Sequence, residues 1–219
     1  MKTLLLLFIS ILLLSTGSIA QTDSTLVTIP NYVKSGFGAT LTAGFGLGVE
    51  NKDIFETEDG DESTLSAGGG FFIGTGLYYI TEKNIKFGST FYYQASELRP
   101  PLENASSSFK RLVITPEIKF PIELINNRNL NIGGGYGFYL NGKMNIDADE
   151  IAGFSTNTKY EDTSGLHLLF EYEEHYERGF LTAGIKYYNV EYNYESGAPI
   201  FESLNGSGFD FYLSYTLRI

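Results

Sequence analysis

Eight segments of the chain alternate apolar residues with polar or small ones, and this period-two pattern is typical of β-strands that have one apolar face. The clearest is the C-terminal segment FDFYLSYTLRI, in which every second residue is apolar. Its apolar face consists of Phe209, Phe211, Leu213, Tyr215, Leu217 and Ile219. The eight apolar faces span residues 37–49, 71–79, 85–93, 112–122, 130–140, 166–172, 181–187 and 209–219, and none of them carries a charge. The pattern predicts an all-β chain of eight strands.

The connections between the predicted strands alternate in length. Those after the second, fourth and sixth strands are short turns, at 81–84, 123–128 and 175–178. The other four are longer, at 51–63, 98–108, 143–163 and 193–205. Short turns at one end and long loops at the other are typical of an up-and-down meander that closes into a barrel. An even number of strands places both chain termini at the end with the short turns.

The face opposite the apolar one distinguishes two kinds of barrel. A soluble barrel encloses its apolar face around a ligand and shows a charged face to water, whereas an outer-membrane barrel turns its apolar face to lipid. The opposite face of the first strand is free of charge and consists of Gly38, Thr40, Thr42, Gly44, Gly46 and Gly48. Such a face suits a narrow interior, so we predict an eight-stranded antiparallel up-and-down transmembrane β-barrel. A soluble periplasmic barrel that binds an apolar ligand is the alternative left open.

Composition and charge exclude several classes of function. The 219 residues include 26 Asp and Glu against 15 Lys and Arg, for a net charge of −11, and no cysteine. Basic residues are too few for a nucleic-acid-binding domain, and disulfides, thiolate catalysis and cysteine metal sites are excluded. With their flanks, the long connections hold a net charge of −13 in segments 50–62, 97–103, 143–162 and 191–202. We therefore expect the acidity at one rim of the barrel.

Seven charged residues fall on the predicted interior face and are candidates for a lumenal ion-pair network. They are Arg111, Glu117, Lys119, Glu171, Lys186, Asp210 and Arg218. An unpaired charge in a low-dielectric interior costs several kcal/mol, so these groups are expected to pair. An interior of about eight strands is only wide enough for side chains to fill, so a wide pore is not expected.

Residues that suggest other chemistry have simpler interpretations. His167 lies on the interior face, but position 169, where a His-x-Ser hydrolase pair would need serine, is leucine. The acidic stretch DIFETEDGDE at 53–62 does not fit an EF-hand loop and is interpreted as a solvated surface loop. No catalytic residue, cofactor site or metal site is predicted.

The first 20 residues have the features of a secretory signal peptide. Lys2 precedes an apolar run from Leu4 to Leu14, and small residues lead to Ala20, after which we predict cleavage. The domain organisation that follows is a signal peptide at 1–20, a short periplasmic segment at 21–35 and the barrel domain at 36–219.

Together, the export signal, the eight strands, the acidic long connections and the terminal strand FDFYLSYTLRI resemble the porin-family small outer-membrane β-barrel domain of the OmpA/OmpX type, over about residues 36–219. The resemblance implies export through the Sec pathway, insertion by the barrel assembly machinery and residence in the outer membrane of a Gram-negative bacterium. With the composition, we further predict a monomer in contact with membrane lipid, without a nucleic-acid partner, and a structural or surface-interaction role for the acidic extracellular loops.

Two features depart from that family's pattern. The chain ends in Ile219 where an aromatic residue is usual, and Pro116 stands within the fourth predicted strand. Because proline removes a ladder hydrogen bond, we expect a β-bulge at Pro116. A lipid-modifying hydrolase, which some small outer-membrane barrels are, is the alternative function from a different class.

Overall fold

The computed structural model describes residues 35–56, 62–98, 105–124, 127–198 and 200–219. The predicted signal peptide, nearly all of the segment 21–35 and part of the acidic stretch at 53–62 lie outside the described residues. None of the helices in the described ranges is long and apolar enough to span a membrane.

The described chain forms thirteen strands and one short helix. The strands are β1 (Gly36–Gly48), β2 (Lys52–Glu56), β3 (Glu62–Leu65), β4 (Gly70–Ile80), β5 (Lys86–Leu98), β6 (Ser106–Glu123), β7 (Arg128–Ala148), β8 (Phe154–Tyr160), β9 (Thr163–Tyr176), β10 (Gly179–Tyr188), β11 (Glu191–Gly197), β12 (Ser203–Asn205) and β13 (Gly208–Arg218). The helix α1 (Asp149–Ala152) separates β7 from β8.

Eight of these strands close into a barrel, in the order β1, β4, β5, β6, β7, β9, β10 and β13. Each pairs antiparallel with its neighbours, and the ring closes where β1 pairs with β13 from Gly38↔Arg218 to Gly48↔Gly208. These are the eight strands that the alternating pattern predicts, so the predicted fold class is confirmed.

The apolar face of each barrel strand points outward. Phe71 is 73% exposed and Leu166 is 70% exposed, while Asn131 and Thr115 are fully buried in the interior. Large apolar side chains surround the barrel on all eight strands, whereas its interior holds most of the buried polar and charged groups. This arrangement is the reverse of a soluble barrel with an apolar interior.

Three of the predicted long loops contain strands that extend the barrel at the end opposite the termini. The β2–β3 hairpin lies between β1 and β4, α1 and β8 lie between β7 and β9, and β11–β12 lie between β10 and β13. The strands β8, β11 and β12 join the upper part of β7 in one continuous sheet. The alternation of apolar and polar residues did not predict this extension at 143–163, because the apolar residues there are few and the polar ones many.

A bulge marks the base of the extension. The register between β6 and β7 shifts between Lys110↔Lys143 and Leu112↔Leu140, so that two residues of β7 oppose one of β6. One of the two, Asn141, has a left-handed backbone with φ 54°. The shift turns even-numbered residues of β7 inward, and beyond it the interior is apolar.

The bulge expected at Pro116 is absent, and this prediction is wrong. The β6–β7 pairs on either side, Ile114↔Phe138 and Glu117↔Gly135, keep the same register. On its other side, Pro116 is opposite Ser89 of β5. Two consecutive cross-strand pairs between β6 and β7 are missing at this point, and no residue is inserted.

Candidate functional site

The glycines of β7 determine how charged side chains meet in the lumen. Gly135 lies between Glu117 on β6 and His167 on β9, and Gly133 lies between Lys119 and Leu169 in the same way. A Cβ atom at Gly135 would lie 1.9 Å from the carbonyl oxygen of Pro116. Because these positions carry no side chain, groups on β6 and β9 can reach each other over the intervening strand.

Glu117 is at the centre of the middle layer of this network. Its carboxylate lies 3.1 Å from the Nζ atoms of both Lys119 and Lys186, and 3.2 Å from Nε2 of His167. The hydroxyl group of Tyr78 also donates to it. A buried carboxylate with two cations and further donors has the partners that offset its desolvation.

Glu171 forms the other half of the middle layer. Lys119 Nζ donates to its Oε1 over 2.6 Å, and the Tyr212 hydroxyl donates to the same oxygen over 2.6 Å. The amide of Asn131 reaches Oε2 at 3.3 Å. Lys119 therefore bridges the two buried carboxylates Glu117 and Glu171.

Near the termini, a second buried cluster contains residues that were not among the sequence candidates. Glu173 pairs with Lys86 and lies 2.7 Å from Nε2 of His175. Arg218, which was expected in an ion pair, donates to Nδ1 of His175 over 2.8 Å. Lys86 and Glu173 alternate in step with the other inward-facing residues of β5 and β9. This alternation is the sequence signal that would have identified them.

At the opposite end of the lumen, Arg111 and Asp210 are linked through neutral groups. Arg111 donates to Gln94 Oε1 from Nη2 over 2.7 Å, and Gln94 donates to Asp210 over 3.3 Å. Arg111 also donates to the hydroxyl of Tyr188 over 2.7 Å, and that hydroxyl lies 3.3 Å from Asp210. The guanidinium lies 5.0 Å from the ring centroids of both Tyr139 and Tyr188.

Above Arg111, an apolar cluster fills the interior of the extension. Its fully or nearly fully buried members include Phe109, Tyr139, Met144, Ile146, Tyr160, Tyr188 and Tyr192. Burial raises the pKa of Tyr160 to about 12. Below this cluster, the interior leaves a cavity of about 30 Å³, lined by residues such as Lys119, Glu171 and Tyr212. That is room for about one water molecule.

His167 lies in the lumen beside a carboxylate. Its Nε2 contacts Glu117, and its Nδ1 is buried without a hydrogen-bond partner among the described groups. No serine hydroxyl bonds to it in the described part of the chain. Across the same ranges, no group of three or more His, Asp or Glu side chains is placed to hold a metal ion.

A separate polar pocket of about 180 Å³ lies at the rim, where β1 ends and β11 begins. It is lined by Glu50, Lys52, Asn189, Val190, Glu191, Ser203 and Asn205. Lys52 pairs with Glu50, and the hydrogen bond from Lys52 holds the pKa of Glu50 below its ordinary value. No candidate residue from the sequence lies in this pocket.

Comparisons with known proteins identify the fold. No family model matches the sequence, and no curated protein matches it either. The structure is similar to the crystal structure of Neisserial surface protein A, with a TM-score of 0.54 and 12% identity over 84% of this chain and 98% of that one. It also matches Ail, the attachment invasion locus protein of Yersinia pestis, with a TM-score of 0.49 and 13% identity over 85% of this chain and 100% of that one. The likeness to the first of these shows that the chain has the fold of the small eight-stranded outer-membrane barrels.

Proposed function

We propose that this chain, with the fold of the small outer-membrane barrels, is an integral protein of a Gram-negative outer membrane. It acts as a structural or surface-interaction protein through its acidic rim, and not as a wide pore. Membrane lipid is its first partner, the barrel assembly machinery inserts it, and it works as a monomer.

The observation that carries this proposal is the apolar belt around the barrel. Side chains such as Leu41, Ile73 and Leu168 are 59%, 62% and 68% exposed, and each barrel strand contributes such residues. A soluble monomer seldom exposes a contiguous apolar patch of more than a few hundred Å². A continuous belt on a closed barrel suits the hydrocarbon region of a bilayer, where no strand edge is left unpaired.

The filled lumen supports a role at the surface in preference to transport. The network around Glu117 and Glu171 occupies the middle of the barrel, and the aromatic cluster around Tyr139 closes the extended end. Since small outer-membrane barrels have short periplasmic turns and longer extracellular loops, the extension faces the outside. Its charge is negative, so a basic partner is attracted and the association weakens as salt increases.

Membrane fractionation tests the proposal. We expect the protein in the outer-membrane fraction, soluble only in detergent, with folded and boiled samples migrating differently on a gel because the barrel survives detergent. Recovery in the soluble periplasmic fraction without detergent would contradict it. Binding of basic and acidic model proteins to whole cells at low and high salt tests the surface role separately.

A further inference from the structure

Three lysines lie side by side on the outer wall of the extension. Lys110 of β6 is the cross-strand partner of Lys143 of β7, and Lys143 is in turn the partner of Lys159 of β8. Each is next in the chain to a buried member of the apolar cluster, namely Phe109, Met144 and Tyr160. Because successive residues of a strand point to opposite faces, the three lysines point outward. We refer to Lys110, Lys143 and Lys159 as the lysine row.

The lysine row runs against an ordinary rule of sheet stability. Directly opposed side chains of an antiparallel pair have Cβ atoms about 5 Å apart, and like charges in such a pair are destabilising. The positions that continue the row on either side are Ala95 of β5 and Ser196 of β11, so no acidic residue stands directly opposite any of the three lysines. A local arrangement that breaks a stability rule is typical of a functional site.

The middle lysine of the row is a free cation. Lys110 pairs with Glu97 over 3.1 Å and Lys159 pairs with Glu195 over 2.7 Å. Both glutamates lie on the outer sides of the row, because Glu97 belongs to β5 and Glu195 to β11. Within the described residues, Lys143 has neither an ion-pair nor a hydrogen-bond partner. The middle of the row therefore has a positive charge available to an anion.

The two ion pairs at the ends of the row can rearrange. All four of their side chains are at least 37% exposed, and exposed ion pairs contribute little to stability. Lys110 and Lys159 can therefore turn toward an anion that Lys143 holds at the middle of the row. The carboxylate of Asp162 is near Lys159 but is already engaged, since it accepts the backbone N–H of Asn141 over 2.8 Å.

The lysine row lies directly above the apolar belt. Along the outward face of β6, Lys110 is followed by the apolar residues Leu112 and Ile114, and on β7 the exposed Phe138 lies beneath Lys143. Two residues of a strand advance about 7 Å, and a lysine stem can follow an apolar wall over such a distance while its ammonium group stays in the polar region. The row is therefore at the level where headgroups of the outer leaflet meet the barrel.

We propose that the lysine row binds a phosphate group of the phosphorylated glycolipid of the outer leaflet. The phosphate accepts from Lys143, and the ammonium groups of Lys110 and Lys159 approach it from the two sides. Lysine binds phosphate as a point charge, and a bound anion offsets the repulsion within the row. The assignment rests on the proposed membrane location, since the acyl chains of such a lipid lie on the apolar wall below the row.

Lipid retention tests the assignment. The purified protein in mild detergent is offered equal amounts of diphosphorylated lipid A and its dephosphorylated form, and the bound lipid is identified by native mass spectrometry. Because hydrogen bonds between charged groups are strong, we expect at least about tenfold more of the phosphorylated lipid to be retained. K143Q should reduce this preference severalfold, whereas K52Q, which removes a rim lysine outside the row, should keep it.

Stability gives a second measurement. In vesicles of phosphatidylcholine alone, K143Q should unfold at a higher urea concentration than the unmodified protein, because repulsion within the row is relieved. Addition of lipid A to the vesicles should stabilise the unmodified protein more than K143Q, because a ligand stabilises the state that binds it. The variant is therefore the more stable protein without the ligand and gains less stability with it.

Equal retention of the two lipids, a preference that K143Q leaves unchanged, or equal stabilisation of both proteins by lipid A would overturn the assignment. Displacement of lipid A by an excess of inorganic phosphate would also overturn it, since the row would then bind phosphate from solution. Failure of the proposed membrane location would appear earlier, as a protein that does not float with the vesicles at all.

Discussion

Lys119 on β6 and Glu171 on β9 form an ion pair of 2.6 Å across the strand that separates them. The pair is possible because Gly133, opposite Lys119 on β7, carries no side chain, while Asn131, opposite Glu171, donates to that carboxylate. Both partners are almost fully buried. The glycine-rich inner face of one strand therefore decides which residues of its two neighbours interact.

Removing the cation of this pair should strongly destabilise the barrel. Lys119→Met leaves Glu171 without its ion-pair partner, and an uncompensated buried charge costs about 3–5 kcal/mol. Adding Glu171→Gln to that variant should recover part of the loss, because the orphaned charge is removed. Denaturant unfolding of vesicle-inserted protein measures both variants. If the losses of unfolding free energy in the two single variants simply add in the double variant, the two residues are not coupled.

A methyl group on the inner face of β7 should also destabilise the fold. In Gly135→Ala, the new Cβ would lie 1.9 Å from the backbone oxygen of Pro116, so the strands must shift. Overpacking of this kind costs about 1–3 kcal/mol. The matched control is Gly36→Ala, where the nearest atom is 3.5 Å away and the unfolding free energy should hardly change. A similar loss of unfolding free energy at both sites would show that the close contact with Pro116 is not its cause.

A charge on the outward face of the barrel should destabilise the protein. Leu213→Arg places a cation on the exposed face of β13, at a cost of about 2–4 kcal/mol near the bilayer midplane. Ser214→Ala, at the neighbouring buried position, should be mild. Unfolding of both variants from lipid vesicles gives the comparison. Equal tolerance of the two changes would mean that the outward face is not in hydrocarbon.

The lumen should not pass small solutes. Its cavity of about 30 Å³ holds about one water molecule, which is much less than a sugar requires. Vesicles containing the barrel should therefore show no swelling in iso-osmotic arabinose, in parallel with porin-containing vesicles that do swell. Swelling at a rate proportional to the amount of barrel would contradict the filled interior.

The bulge on β7 should be needed for the extension but not for the barrel. Deleting Asn141 removes the extra residue, so Met144 and Ile146 would turn toward water and their polar neighbours would turn inward. We expect an intact, heat-modifiable barrel whose residues 143–162 become sensitive to added protease. A substitution, Asn141→Gly, keeps the extra residue and suits the left-handed backbone, so it should stay resistant.

The alternation of apolar residues was sufficient to predict the eight barrel strands and the fold class. Lipid imposes one physical requirement on every spanning strand, an apolar outer face, and the requirement repeats with period two wherever the chain crosses. The strands of the extension follow a different rule, since their outer face meets water and their inner face is apolar. The bulge at Asn141 joins the barrel part of β7 to its extension and changes which alternate residues face inward. For that reason no single alternation of apolar and polar residues extends through β7.

The sequence by itself therefore determined the number of barrel strands, the outward face of each and the excess of acidic residues in the long connections, because each is a local property of consecutive residues. Only the tertiary structure decided which buried charges meet, that Lys86 and Glu173 form a further pair, and that Arg218 contacts His175. These contacts join strands that are distant in the chain, and barrel closure, register and the glycines of β7 set their geometry together. The pocket beside Glu191 arises in the same way, from the meeting of β1, β11 and β12 at the rim.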